Sequence, residues 1–267
     1  WGNFMKNVIQ KILILVVFLT ISSELLASDR PQVKSLDGLK PNRILFVGNS
    51  YLYYNDSLHN HVLRMAAEKF PEKAKFAKYK SSTIGGSRLA HHNLDHLLKA
   101  KNIGVKKPFE LVILQGGSME PLSEPARRQF NEQAKTMIEK IKTSGGKAAL
   151  YMTHAYVKPH GKYAPGMIDD IRSLYVKAGN DNKALVIPVG IAFEKAYQYR
   201  PEIVLHKDFD GSHPSLLGTY LAASVVFASI FKTSPVGLKY NYFDAVADED
   251  RDFLQKVAEE TVSEFFN

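Results

Sequence analysis

The chain has 267 residues, 45% of them hydrophobic and 11% aromatic, which is ample for a well-buried globular core. Charged residues make up 23%, excluding global disorder, and Cys is absent, excluding disulfides and a lipid anchor through cysteine. The formal charge is +8, with basic residues scattered rather than gathered in runs, so a basic surface or attraction to anionic polymers is expected and nucleic acid is not.

At the N-terminus, Lys6 and Lys11 precede or flank an apolar run at 12–21, and small or polar residues follow as far as Ala27 and Ser28. This is the layout of a secretory signal peptide with Ala27 as the last residue removed. The run is shorter than the roughly 20 apolar residues of a membrane span. An uncleaved anchor is the alternative, and would be the chain's one route to a membrane. The expectation is a leader at 1–27, a single domain at 28–267, and export to a bacterial periplasm or exterior.

Residues 44–47 (ILFV) predict a buried strand, and 57–70 a helix with Leu58, Val62, Met65 and Ala66 on one face. A strand at 76–80 and a helix at 89–101 follow. The run LVIL at 111–114 predicts a strand and 124–142 a helix. After the glycine turn at 144–146 come a strand at 148–152, a helix at 165–178 opened by Pro165, and a strand at 185–187. Helices at 191–199, 214–231 and 248–265 close the chain. Five strands interleaved with helices indicate an α/β protein with a parallel sheet covered on both faces. In such sheets ligands sit beyond the carboxyl ends of the strands.

Gly48-Asn49-Ser50-Tyr51 follows the first strand, where a tight turn into a helix exposes a hydroxyl beside backbone N–H groups able to hold an oxyanion. It is neither the G-x-S-x-G elbow nor a phosphate-binding P-loop. Thr83-Ile84-Gly85-Gly86-Ser87 follows the second strand, with glycines that let a ligand approach the backbone. Gln115-Gly116-Gly117-Ser118 follows the third: a buried amide there either braces a loop or donates to a developing negative charge. His154 follows the fourth strand, as a substrate contact or a packed loop histidine. Asp210-Gly211-Ser212-His213-Pro214 places an acid and a base on one loop, so that the carboxylate can fix the imidazole tautomer. Alone, each run also reads as an ordinary turn or cap. Together they supply a nucleophile, a base, an orienting acid, oxyanion donors and a glycine-lined cleft.

In order and composition these runs resemble the SGNH/GDSL hydrolase superfamily, from residue 44 to about 231. Gly48-Asn49-Ser50-Tyr51 resembles its first block (usually Gly-Asp-Ser-Leu), Gly86, in preference to Gly85, its second-block glycine, and Asp210-Gly211-Ser212-His213-Pro214 its last block. The third block departs: Gly-x-Asn-Asp is usual, whereas Gln115-Gly116-Gly117-Ser118 is similar to carbohydrate acetylesterase branches. Residues 210–237 also resemble an uncharacterised bacterial branch. The resemblance implies a three-layer α/β/α sandwich of flavodoxin-like topology and ester hydrolysis without metal or cofactor. It implies Ser50 as nucleophile, His213 as base and Asp210 as its orienter, with Ser50, Gly86 and Gln115 forming the oxyanion hole. Asn49, Tyr51 and His154 are candidate substrate contacts.

His92 and His96 are four apart, but no third ligand stands at a matching spacing, so solvated helix histidines are expected rather than a metal site. Tyr51, Tyr53 and Tyr54 suit a sugar face or plain packing. The leading expectation is removal of small acyl groups, acetyl above all, from a glycan or similar polyol. The alternatives are acyl transfer to a sugar, a longer-chain lipase or thioesterase, and a silent glycan-binding protein.

Overall fold

The computed structural model describes residues 30–267; the leader expected at 1–27 lies outside them. Five strands, β1 (Arg43–Gly48), β2 (Lys78–Thr83), β3 (Leu111–Leu114), β4 (Lys147–Tyr151) and β5 (Leu185–Ile187), form one sheet. Every pairing is parallel and the order is β2-β1-β3-β4-β5. This flavodoxin-like order reverses direction between β1 and β3, opening a crevice at their carboxyl ends.

Successive strand residues point to opposite faces, and each face carries its own core. Ile44, Phe46, Leu111, Ile113, Ala149 and Tyr151 join one apolar cluster; Leu45, Val47, Val112, Leu114, Ala148 and Leu150 join the other. With both faces covered, the inner strands need no polar alternation, and every residue of β3 is buried.

The helices are α1 (Ser50–Tyr53), α2 (Leu58–Lys69), α3 (Pro71–Ala74), α4 (Leu94–Leu98), α5 (Glu124–Thr143), α6 (Met167–Asn182), α7 (Val189–Tyr199), α8 (Leu216–Phe231) and α9 (Asp248–Phe266). The first cluster takes residues from α2, α7, α8 and α9, and the second from α4, α5 and α6, which makes three layers. Helix α8 is apolar on all sides because neighbours surround it, and its Tyr220, Leu221 and Phe227 are fully buried. Burial of each such side chain contributes about 1.5–3 kcal/mol. The Ser215 side chain caps α8 by accepting the Gly218 N–H at 3.1 Å. Among the described residues no helix is long and apolar enough to cross a membrane.

Several expected elements differ, among them the helix expected from Pro214, which begins at Leu216 behind its Ser215 cap. The edge strand lies at Lys78–Thr83 rather than 76–80; it pairs only with β1, and its polar residues leave Tyr79 as its one buried position. The helix expected over 89–101 is broken. A 3-10 turn at Leu89–His91 ends, and the Asn93 side chain then caps α4 by accepting the His96 N–H at 3.0 Å. His92 therefore precedes α4 and its Nε2 meets Ser87 Oγ, while exposed His96 contacts Asn102, so the two histidines do not share a helix face. The helix expected from Pro165 begins at Met167, because Gly166 sits at φ 75° in the left-handed region.

Candidate active site

Ser50 is the first residue of α1 and stands one residue, Asn49, beyond the end of β1, so the strand fixes where its hydroxyl stands. Asn49 caps the short helix: its Oδ1 accepts the Tyr51 N–H at 3.1 Å and its Nδ2 donates to the Ser87 carbonyl at 3.1 Å. The Ser50 N–H opens the helix and so has no acceptor within it.

The partner arrives from the segment before α8. His213 Nε2 lies 2.8 Å from Ser50 Oγ, and His213 Nδ1 lies 2.5 Å from Asp210 Oδ2. The other carboxylate oxygen of Asp210 accepts the Ser212 and His213 N–H groups at 2.8 and 3.0 Å, curling the loop around the imidazole. Burial alone would raise the Asp210 carboxyl; the bonds from the His213 ring and the two amides overcome it and hold the carboxyl below its usual value. Asp210 is thus ionised at neutral pH, which puts the proton on Nδ1 and leaves Nε2 free to accept from Ser50. Tyr54 stacks on the His213 ring at 4.5 Å between centroids.

The array opens into a cleft of about 330 Å³ lined by Ser50, Gly86, Arg88, Met119, Tyr156 and His213, among others. Gly86 sits at φ 66°, where a side chain is disfavoured, and no hydrogen bond among the described residues takes its N–H. The far wall is a stack of Tyr156 on His160, with centroids 3.6 Å apart, and Tyr156 donates to Ser118 Oγ at 2.8 Å. Larger hollows of about 480 and 490 Å³ lie near the amino ends of β4 and β5 and between α4 and α5, but neither is lined by a histidine that could serve as base.

Compared by sequence, the chain matches no family model and no curated protein. Solved structures do match. A protein from Slackia heliotrinireducens described as an SGNH hydrolase aligns over 70% of this chain and 97% of its own, at 22% identity and TM-score 0.54. A DUF4886 family protein from Bacteroides uniformis covers 82% of this chain and 94% of its own, at 15% identity and TM-score 0.60. The acetyl xylan esterase AlAXEase covers 70% and 98%, at 17% identity and TM-score 0.56. The chain has the SGNH hydrolase fold.

On this SGNH framework, two of the expected site residues fall behind the cleft rather than in it. Gln115 is fully buried at the end of β3; its Oε1 accepts the Asn49 N–H at 2.8 Å and its Nε2 turns to the Gly116 carbonyl. Both ends of the amide are engaged, so Gln115 braces the Ser50 turn instead of facing an oxyanion. Gly48 makes room for it, since a Cβ there would collide with Gln115 Oε1. His154 is also fully buried, so it does not contact substrate. Its ring is sandwiched between Tyr51 and Phe193, with centroids 4.2 and 4.4 Å away, and its Nε2 donates to the Ser212 carbonyl at 2.8 Å. Burial holds it neutral, well below the usual histidine value.

Tyr51 is buried beside the site, and its hydroxyl pairs with Ser212 Oγ at 2.8 Å. Tyr51 and His154 thus grip Ser212 from side chain and backbone and hold the loop between Asp210 and His213. Asn49, Tyr51 and Ser212 do reach the cleft lining. Sequence reasoning passed over Arg88, Ser118, Tyr156, His160 and Ser212. Ser118 and Ser212 carried a signal, by lying in the runs at 115–118 and 210–214. Glu120 was also passed over. It is buried behind Gly117, whose N–H it accepts at 2.6 Å, and burial pushes its carboxyl up to about 7.

Proposed function

We propose that this protein is a serine ester hydrolase that removes small acyl groups, acetyl first among them, from a carbohydrate or similar polyol. The observation that carries the reading is the continuous hydrogen-bonded array from Ser50 Oγ through His213 to Asp210, set beside the N–H groups of Ser50 and Gly86, which no hydrogen bond among the described residues takes. Ser50 Oγ attacks the ester carbonyl carbon while its proton passes to His213 Nε2, and Asp210 stabilises the imidazolium. The carbonyl electrons move onto oxygen, where the N–H groups of Ser50 and Gly86 receive the charge. Collapse breaks the bond to the alcohol, which leaves with the proton from His213. Water then gives its proton to the same nitrogen and attacks the acyl carbon; the bond from that carbon to Ser50 Oγ breaks, Oγ takes the proton back from His213, and the acid is released.

The small acyl group is supported by the cleft, whose volume of about 330 Å³ is walled by Tyr156, His160 and Met119. The polyol is supported by exposed Tyr53, Tyr163 and Phe209, on segments bordering the site, which offer flat apolar faces to sugar rings. A neighbour in fold acts on acetylated xylan by its name.

The test is release of p-nitrophenol from its acetate and from a long-chain ester, by the native protein and by Ser50→Ala. The native protein should turn over the acetate faster, and Ser50→Ala should fold normally with activity lost by at least about 10³-fold. Turnover retained in the variant would remove Ser50 as nucleophile, and a preference for the long chain would refute the small-acyl reading.

A further inference from the structure

We propose that the cleft selects esters bearing a carboxylate beside the scissile acyl group, as on an acylated acidic sugar, and that Arg88 is the specificity-determining residue that recognises it. This rests on the ester-hydrolase reading above.

Arg88 lies two residues beyond Gly86 and lines the same cleft as Ser50 and His213. Its aliphatic stem packs over Gly117, with Cγ 3.1 Å from where a Cβ would stand. Arg43, Arg64, Arg127, Arg128, Arg200 and Arg251 each meet a carboxylate within 3.2 Å. Among the described residues Arg88 forms no ion pair, and its Nη1 donates to the neutral Gln129 Oε1 at 2.7 Å.

The carboxylates around it are committed elsewhere. Asp210 is held by His213 and two amides, and Glu120 accepts the Gly117 N–H in a dry setting. Burial outweighs the pull of the Arg88 charge and pushes the Glu120 carboxyl up to about 7. A second cation reinforces the first: Lys162 Nζ sits 3.0 Å from the sulfur of Met119, which lines the cleft, and it too forms no ion pair among the described residues. The Gln129 bond steadies one arm of the guanidinium fork, and no other hydrogen bond among the described residues takes its remaining N–H groups, an arrangement suited to two-point capture of a planar carboxylate.

A matched pair of acetyl esters tests this: 4-acetoxybenzoate, which carries a carboxylate on the alcohol side, and the neutral 4-acetoxybenzamide. The native protein should favour the anion in kcat/KM. Arg88→Gln should lower that preference about tenfold, chiefly through KM, as expected for a lost charged hydrogen bond. Arg88→Lys should lose less, and Lys135→Gln, an equal change of charge on exposed α5, should leave the preference as it was. Binding separates this proposal from the hydrolase reading: calorimetry on Ser50→Ala should show 4-acetoxybenzoate bound about tenfold more tightly than in the Ser50→Ala, Arg88→Gln double variant. Failure of the native protein to cleave either ester would defeat the hydrolase reading alone. Equal binding of the two esters to Ser50→Ala, binding of neither, or a preference indifferent to Arg88→Gln would overturn the role of Arg88.

Discussion

Replacing Glu120 by Gln isolates the energetic effect of a buried carboxyl beside the cleft. Glu120 is 2% exposed, it accepts the Gly117 N–H at 2.6 Å, and burial lifts its carboxyl from 4.5 to about 7 against the opposing pull of that N–H and of Arg88. Between those two values the native chain holds a proton that the unfolded chain has released. Stability therefore falls as pH rises through this window and levels off above it. A shift from 4.5 to about 7 corresponds to about 3 kcal/mol across the window. Gln keeps an acceptor for Gly117 and cannot ionise, so this loss should vanish in the variant. Urea unfolding of both proteins at pH 5 and pH 8 measures it. The variant should gain about 3 kcal/mol on the native protein between the two conditions, or about 6–12 °C in Tm. Comparing two pH values cancels the fixed cost of the added NH₂ group. Parallel pH dependence in the two proteins would show that the Glu120 carboxyl does not titrate as its burial requires.

Two further substitutions probe the supports of the array. Gln115→Met keeps the volume and removes the acceptor for the Asn49 N–H, so it should cost about 1–3 kcal/mol and lower Tm and kcat together; a hundredfold loss of kcat at unchanged Tm would instead restore Gln115 as an oxyanion donor. His154→Phe preserves the stack and removes the bond to the Ser212 carbonyl. It should lower kcat about tenfold with KM little changed, as the base loop loses its register, and unaltered kcat would show that Ser212 is held well enough by Tyr51.

The inner strands were legible because burial on both faces turns them into unbroken apolar runs, as at Leu111–Leu114 and Leu185–Ile187. The edge strand was not, since its outer half meets solvent and its polar residues blur its ends. The proximity of Ser50, His213 and Asp210 followed from their places after strands and before a helix. The orientation of Gln115 did not, because it depends on β1 lying beside β3, which brings the Asn49 N–H to the amide. His154 kept two readings for a similar reason, and the packed one holds: the Phe193 ring that covers it comes from α7, further along the chain. Arg88 gave no signal, because its lack of an ion pair among the described residues depends on where the chain's carboxylates fold to.

The hydrogen bond between Ser50 and His213 joins residues 163 apart in the chain. Both the loop that bears the base and the helix behind it follow all five strands. As a chain emerges N-terminal end first, Ser50 is made early and His213 late. A stalled or truncated product ending before His213 carries the serine without its hydrogen-bonded partner, so the array forms only on completion of the sheet and its closing helices. On the proposed reading, ester turnover reports on assembly of the whole fold.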